Sequence, residues 1–103
     1  MIATTPKPPY YAVIFTSIKK SDDKDYAEMA EKMQNLVQKQ QGFLGMESAK
    51  NETGITISYW KNLESIKLWK DNAEHLVAQK FGKEFWYENY KVRVCLVKRD
   101  YEF

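Results

Sequence analysis

One histidine, one cysteine, four glycines and three prolines in 103 residues leave several kinds of chemistry without the side chains they need. The lone Cys95 cannot close an intrachain disulfide. It sits in an apolar run, which points to a buried thiol in a reducing compartment, and the cytoplasm is the expected location. His75 has no second histidine and no cysteine pair near it, so zinc-type ligand spacing is absent and no metal centre is expected. Charge of one sign is also lacking. Sixteen basic and 14 acidic residues give a net charge of +2. The basic groups Lys19-Lys20, Lys80/Lys83 and Lys98-Arg99 are short and separated, whereas a nucleic-acid binder shows a basic stripe. No apolar run approaches the ~18 residues of a membrane-spanning helix, and the start of the chain has no signal-peptide pattern, so neither nucleic acid nor membrane is an expected partner. Gly42 and Gly45 do not form a phosphate loop. Ser17, Ser48, Ser58 and Ser65 carry no nucleophile signature, and Cys95 has no base or helix N-terminus beside it in the sequence.

What is abundant is aromatic surface, 15% of the residues. Rings are costly to leave in water, so they belong in a core, a pocket or an interface. The length fits one domain. Residues 1–9, with Pro6, Pro8 and Pro9, read as an extended arm. Residues 10–98 read as the domain, and residues 99–103 as a tail. Tyr10 to Ile18 is rich in aromatic and β-branched residues and predicts a strand. Ser21, Asp22 and Asp23 are candidate caps of a helix, with Asp25 as a further first-turn acid. Its apolar stripe is Tyr26, Met29, Ala30, Met33, Leu36 and Val37. Gly42 is placed to end that helix in a left-handed cap. Phe43–Ala49 and Ile55–Trp60 predict a hairpin around the turn Asn51-Glu52-Thr53-Gly54. Asn62 can cap a second helix carrying Leu63, Ile66 and Trp69. The sequence predicts a break at Asp71-Asn72, where Asp71 and Glu74 are spaced like a capping box for a new segment with Val77 and Phe81 on its inner face. After Gly82 comes a short aromatic helical turn, Phe85, Trp86, Tyr87 and Tyr90. The last strand is Lys91 to Lys98.

The order β-α-β-β-α-β predicts the ferredoxin-like α+β fold, a four-stranded antiparallel sheet with both helices on one face. Two helices cover only one face of a sheet. Yet Ala12, Ile14 and Ile18 oppose Tyr11, Val13 and Phe15 on the first strand, and Ile55, Ile57 and Tyr59 oppose Thr56, Ser58 and Trp60 on the third, so both faces are apolar. A second copy packed sheet against sheet is the economical cover, and a homodimer through the open face is expected.

Two stretches carry a family resemblance. Gly42-Phe43-Leu44-Gly45-Met46-Glu47-Ser48, followed by Ile57-Ser58-Tyr59-Trp60-Lys61-Asn62-Leu63-Glu64-Ser65, resembles the antibiotic biosynthesis monooxygenase superfamily, and His75 to Tyr90 looks like a bacterial branch of it. The likeness spans roughly residues 10 to 98. It implies a dimeric α+β barrel made from two ferredoxin-like sheets. Members it resembles include oxygenases of aromatic, polyketide-like molecules that use no metal or flavin, enzymes that cleave haem oxidatively, and proteins with no assigned activity. Haem-degrading members are similar in a second-helix tryptophan, which maps to Trp69. Their haem-ligating histidine falls about three turns further on, where this chain has Gln79 or Lys80, and His75 is about one turn short. The asparagine of their first strand has no counterpart among residues 10–18.

The candidate site follows. His75, read in the first turn of a helix, would be held neutral by the helix dipole and could serve as a general base or hydrogen-bond donor. It could equally be a hydrogen-bonded surface histidine. Trp69, Trp86 and Tyr87, with Tyr59 and Trp60 next, could wall a pocket for a planar substrate, or could simply be core. The leading expectation is a cofactor-independent monooxygenase acting on a small aromatic or quinol-like molecule. A dimeric ligand-binding domain without turnover is the alternative, and a structural domain whose aromatics only fill the core is a third.

Overall fold

The computed structural model describes residues 2–19, 24–81 and 87–103. Six elements follow one another: β1 (Tyr10–Lys19), α1 (Lys24–Val37), β2 (Phe43–Lys50), β3 (Gly54–Trp60), α2 (Leu63–Phe81) and β4 (Tyr87–Val97). The strands form one sheet in the order β2-β3-β1-β4, every neighbouring pair antiparallel. This is the expected ferredoxin-like α+β arrangement.

Register sorts the side chains onto two faces, because directly paired residues share a face and neighbours along a strand alternate. On one face lie Tyr11, Val13 and Phe15 of β1, Trp60, Ser58 and Thr56 of β3, Phe43 and Met46 of β2, and Tyr90, Val92, Val94 and Leu96 of β4. The indole of Trp60 stacks on Trp69 of α2, with ring centroids 6.2 Å apart, which identifies this as the helix face. The opposite face carries Tyr10, Ala12, Ile14, Tyr59, Ile57, Gly45, Glu47, Cys95 and Arg93. A bulge at Leu44 shifts the β2–β3 register between Phe43 and Gly45.

The helices form where periodicity places them. In α1, Met29 and Val37 are buried and Met33 and Leu36 half-buried, while Ala30 of the expected stripe is exposed. Asn62 caps α2, its Oδ1 accepting from the Ser65 amide at 2.8 Å. The helix does not break at Asp71-Asn72. It runs on to Phe81, which puts His75 in mid-helix, away from the N-terminal dipole. An Asp and an Asn together cost a helix interior only about 1 kcal/mol, and the inward positions Ser65, Ile66, Trp69, Ala73 and Leu76 continue in phase across them. Asn72 is instead a tether between the helices. Its Nδ2 donates to Gln40 Oε1, in the turn after α1, at 2.9 Å.

Two further expectations change. Tyr87 and Tyr90 belong to β4, which starts four residues before the expected Lys91, because its pairing with β1 continues through Ser17↔Tyr90 and Ile18↔Asn89 to a bulge before Lys19↔Tyr87. Phe85, Trp86 and Gly82, like the caps Ser21, Asp22 and Asp23, lie outside the described residues, as do the side chains of Asp25, Tyr26, Val77, Phe81 and Tyr87. Gly42 is left-handed, with φ +84°, but α1 ends earlier, at Val37. The turn is closed by Lys39 N–H donating to Leu36 C=O and Gln40 N–H to Val37 C=O, both at 3.1 Å. Gly42 feeds β2, and its carbonyl accepts from the Lys61 amide at 2.8 Å. A Cβ on Gly42 would stand 2.1 Å from Ser65 Oγ, so the close approach of β2 to the first turn of α2 needs glycine.

No helix among the described residues is long and apolar enough to cross a membrane.

Candidate functional site

The helix face has a closed half and an open half. At the β3 end Trp60 has 0% exposure. Phe43 meets its ring edge-on at 5.4 Å, Trp69 covers it, and its Nε1 donates to Ser58 Oγ at 2.8 Å. At the β4 end the same face is half-exposed. Tyr90, Val92, Val94 and Leu96 alternate along the strand at 46–51% exposure, an apolar shelf of four side chains. The ring of Phe15 on β1, half-buried, stacks on Tyr90 at 5.5 Å with an interplanar angle of 23°. Every shelf side chain is apolar or phenolic, and the charges of this stretch of β4, Lys91 and Arg93, point to the other face. Beside the lower end of the shelf is a depression of about 310 Å³, lined by Thr16, Ser17, Ile18, Thr53, Asn89, Tyr90 and Lys91.

The structure distributes the expected site residues unevenly. Trp60 and Trp69 come together on the helix face. Tyr59 lies on the opposite face, since successive strand residues alternate, so one cavity on one face takes Trp60 or Tyr59 but not both. His75 is exposed. Six residues after Trp69, it is rotated about 240° around the helix axis, toward the outward side of α2. Trp86 lies outside the described residues; Tyr87 is placed by its backbone only, as the first residue of β4. Cys95 is half-buried on the helix-free face. Among the described residues no cluster of His, Cys, Asp or Glu is arranged to hold a metal ion.

A second constellation, absent from the sequence reading, lies on the helix-free face. Glu47 accepts from the Ala3 amide at 3.1 Å and from the Tyr59 hydroxyl. Tyr10, edge-on to Tyr59 at 5.8 Å, accepts from Thr5 Oγ1 at 3.0 Å and donates to Asp100 Oδ2. Residues of the N-terminal arm are thereby latched across β1, β2 and β3, and Ala3 packs over Gly45. The Tyr59 hydroxyl and the Ala3 amide hold the Glu47 carboxyl below its usual range. Burial, then the hydrogen bond to Glu47, raises the Tyr59 phenol well above the usual tyrosine range, and burial with Asp100 raises Tyr10. Neither carboxylate contact leaves a signal in local sequence, because the partners of Glu47 and Asp100 are 12 to 90 positions away.

With this geometry in hand, likeness to known proteins is informative. Residues 16–95 match the model of the monooxygenase af470-like family. The uncharacterized protein YqjZ of Bacillus subtilis is 47% identical over 100 residues, covering 95% of this chain and 88% of that protein. Among solved structures, the chain resembles a point mutant of SnoaB, a cofactor-independent oxygenase of Streptomyces nogalater, with a TM-score of 0.71 at 6% identity over 88% of this chain and 95% of that one. A putative antibiotic biosynthesis monooxygenase of Nitrosomonas europaea follows, with a TM-score of 0.63 at 12% identity over 91% and 94%. A point mutant of MhuD, with two manganese protoporphyrin IX bound per active site, gives 0.66 at 12% identity over 90% and 99%. At such identities the structures establish a shared fold.

Proposed function

The chain belongs to the monooxygenase af470-like family, and from that premise we propose that it is an oxygenase needing no metal or flavin, acting on a small planar aromatic or quinol-like molecule held on the helix face. The observation that carries this reading is the β4 shelf: four apolar or phenolic side chains, half in water, continuous with the Phe15 ring and bounded by the Trp60–Trp69 stack. A solvated strand face alternates toward polar residues; this one does not, and a flat apolar molecule would remove it from water. Each ring buried against it contributes on the order of 1.5–3 kcal/mol.

The chemistry asked of the protein is modest. An anthrone-type CH2 group, once deprotonated, is electron-rich enough to reduce dioxygen. One oxygen atom ends as the new carbonyl of the product and the other leaves as water, so the substrate supplies the electrons. The protein contributes orientation, exclusion of water and a proton acceptor. His75, the only imidazole in the chain, stands on the outward side of α2 away from the shelf, so it serves as acceptor only for a substrate that reaches that side. Exchange for alanine tests this: a fall in kcat of about 10²-fold or more assigns the role to His75, and an unchanged rate leaves proton removal to another group. The decisive measurement is oxygen uptake over a panel of anthrones and hydroquinones. Turnover above the spontaneous rate supports the oxygenase. Ligand-dependent thermal stabilisation with no product would support the binding domain instead.

Haem suits this shelf poorly: its propionates need cations, and among the described side chains facing the shelf there is none, while the phenol of Tyr90 is the one group on the β4 row that could meet iron. The functional unit we propose is a homodimer closed through the helix-free face, where Ile14, Ile57, Ile18 and Ile55 extend beyond the latched arm and the last two are 39–40% exposed.

A further inference from the structure

The register of the sheet gives the helix-free face a polarity that bears on how a second copy sits. Across the middle of that face one lateral row reads Glu47, Ile57, Ile14, Arg93, from the β2 edge to the β4 edge. The row is acidic at one end, apolar in the middle and basic at the other. Arg93 is exposed and makes no ion pair among the described residues. The row above reads Gly45, Tyr59, Ala12, Cys95. It is thick at the β2 end, where Ala3 of the arm lies on Gly45, and low at the β4 end, where the small Cys95 is half-buried.

A twofold axis between two stacked sheets has two simple settings. An axis across the strands sets β2 on the partner's β2 and β4 on the partner's β4, which brings Arg93 and Lys91 toward the same residues of the partner. An axis along the strands, between β1 and β3, sets each β4 over the partner's β2. Arg93 then faces the partner's Glu47 twice over, Ile14 faces the partner's Ile57, and the arm-thickened Gly45 corner faces the partner's Cys95. Like charges at short range disfavour an interface and opposite charges steer the encounter, and the low Cys95 edge against the thickened Gly45 corner favours the same setting. The geometry points to a second copy of this chain docked with its axis along the strands, with Arg93 paired to the partner's Glu47 across both edges. Glu47 has capacity for this, because a carboxylate offers about four lone-pair positions and the Tyr59 hydroxyl and Ala3 amide take two. This inference rests on the homodimer reading above and assigns its contacts.

The test is charge reversal read by sedimentation of the full chain. Glu47→Arg and Arg93→Glu, each alone, set like charges at both contacts and should weaken dimerisation at least about tenfold. Mixing the two variants should restore it, since the mixed pair has one native contact and one swapped contact. If wild type is a dimer and the single variants match it, or if they dissociate and the mixture stays apart, the pairing is overturned while the dimer stands. If wild type sediments as a single chain, the dimer reading falls and this one with it. Because Glu47→Arg also removes the latch on Ala3, a second measurement avoids that variant. Within one chain Glu47 and Arg93 are three strand spacings apart, about 14 Å, too far for a disulfide. A chain carrying E47C and R93C, with C95S, should form a covalent dimer on mild oxidation. Absence of the covalent dimer, in a variant that sediments as wild type does, overturns the pairing.

Discussion

The two halves of the helix face are built from similar residues and serve opposite ends. At β3, rings close on rings: Trp60 is sealed by Phe43 and Trp69, and its one polar atom is bonded to Ser58. At β4, an aliphatic row of the same apolar character stays half in water. α2 is pinned over the β3 half by the Trp stack, by the Asn62 cap and by the close passage of Gly42 under Ser65. Those anchors explain why one end is core. The β4 row lies outside those anchors and stays half-exposed. Apolar composition alone therefore does not separate core from exposed shelf; the position of the anchoring helix does.

The comparison predicts a steep gradient of mutational cost. Trp60→Ala should lose about 3–5 kcal/mol, the usual cost of truncating a fully buried ring, read as a drop in the denaturation midpoint at constant slope. A loss below about 1 kcal/mol would mean that the closed half is not closed. Gly42→Ala should lose about 2–3 kcal/mol by the same measurement. It places a Cβ in the left-handed region and against Ser65, adding backbone strain of about 1 kcal/mol to the cost of overpacking.

These anchors also show what is legible in the sequence. The strand order, the fold and the cap at Asn62 follow from local patterns, periodicity and side-chain type. The stacking of Trp60 on Trp69 is within reach, since both sit on elements whose phase the sequence sets. The continuity of α2 is masked because Asp71 and Glu74 mimic a helix start; the uninterrupted phase of Ser65, Trp69, Ala73 and Leu76 outweighs it. Tyr87 and Tyr90 read as helical because rings at short spacing suit a helix as well as a strand, and only long-range pairing with Ser17 and Lys19 decides. The shelf is hidden for a different reason. Val92, Val94 and Leu96 announce a strand face toward a core, and nothing local says that the core stops short of them. The latches of Glu47 and Asp100 join positions with no sequence proximity at all.

The helix-free face sharpens the contrast, because its covering is polar and therefore responds to pH. Glu47 is more acidic in the fold than its ordinary value of 4.5, so its contribution is present above that pH and is lost as pH falls through the lower folded value. Tyr59 and Tyr10 are raised above 10.0. Unfolded tyrosines ionise from pH 10 upward while the folded ones stay neutral, so stability is lost in that alkaline direction. Thermal melting should give a plateau between these limits. Tyr59→Phe should flatten the alkaline limb and lower the plateau by about 1 kcal/mol, the worth of one hydrogen bond. An unaltered alkaline limb would separate Tyr59 from the latch.

The smallest effect on stability is expected on the shelf, and there it carries the most information. Val94 is 51% exposed. Val94→Thr keeps the shape and the strand preference of the residue, so it should cost no more than about 0.5 kcal/mol. The substitution puts a hydroxyl where a flat apolar molecule would lie. Burying that hydroxyl without a partner costs about 1 kcal/mol or somewhat more, so affinity for an anthrone or hydroquinone ligand should fall by about fivefold to tenfold, measured by titration of tryptophan fluorescence. Stability and binding would then part company, as a site that is not core requires. Equal affinity in the two proteins would place the ligand elsewhere on the sheet and return the shelf to ordinary surface.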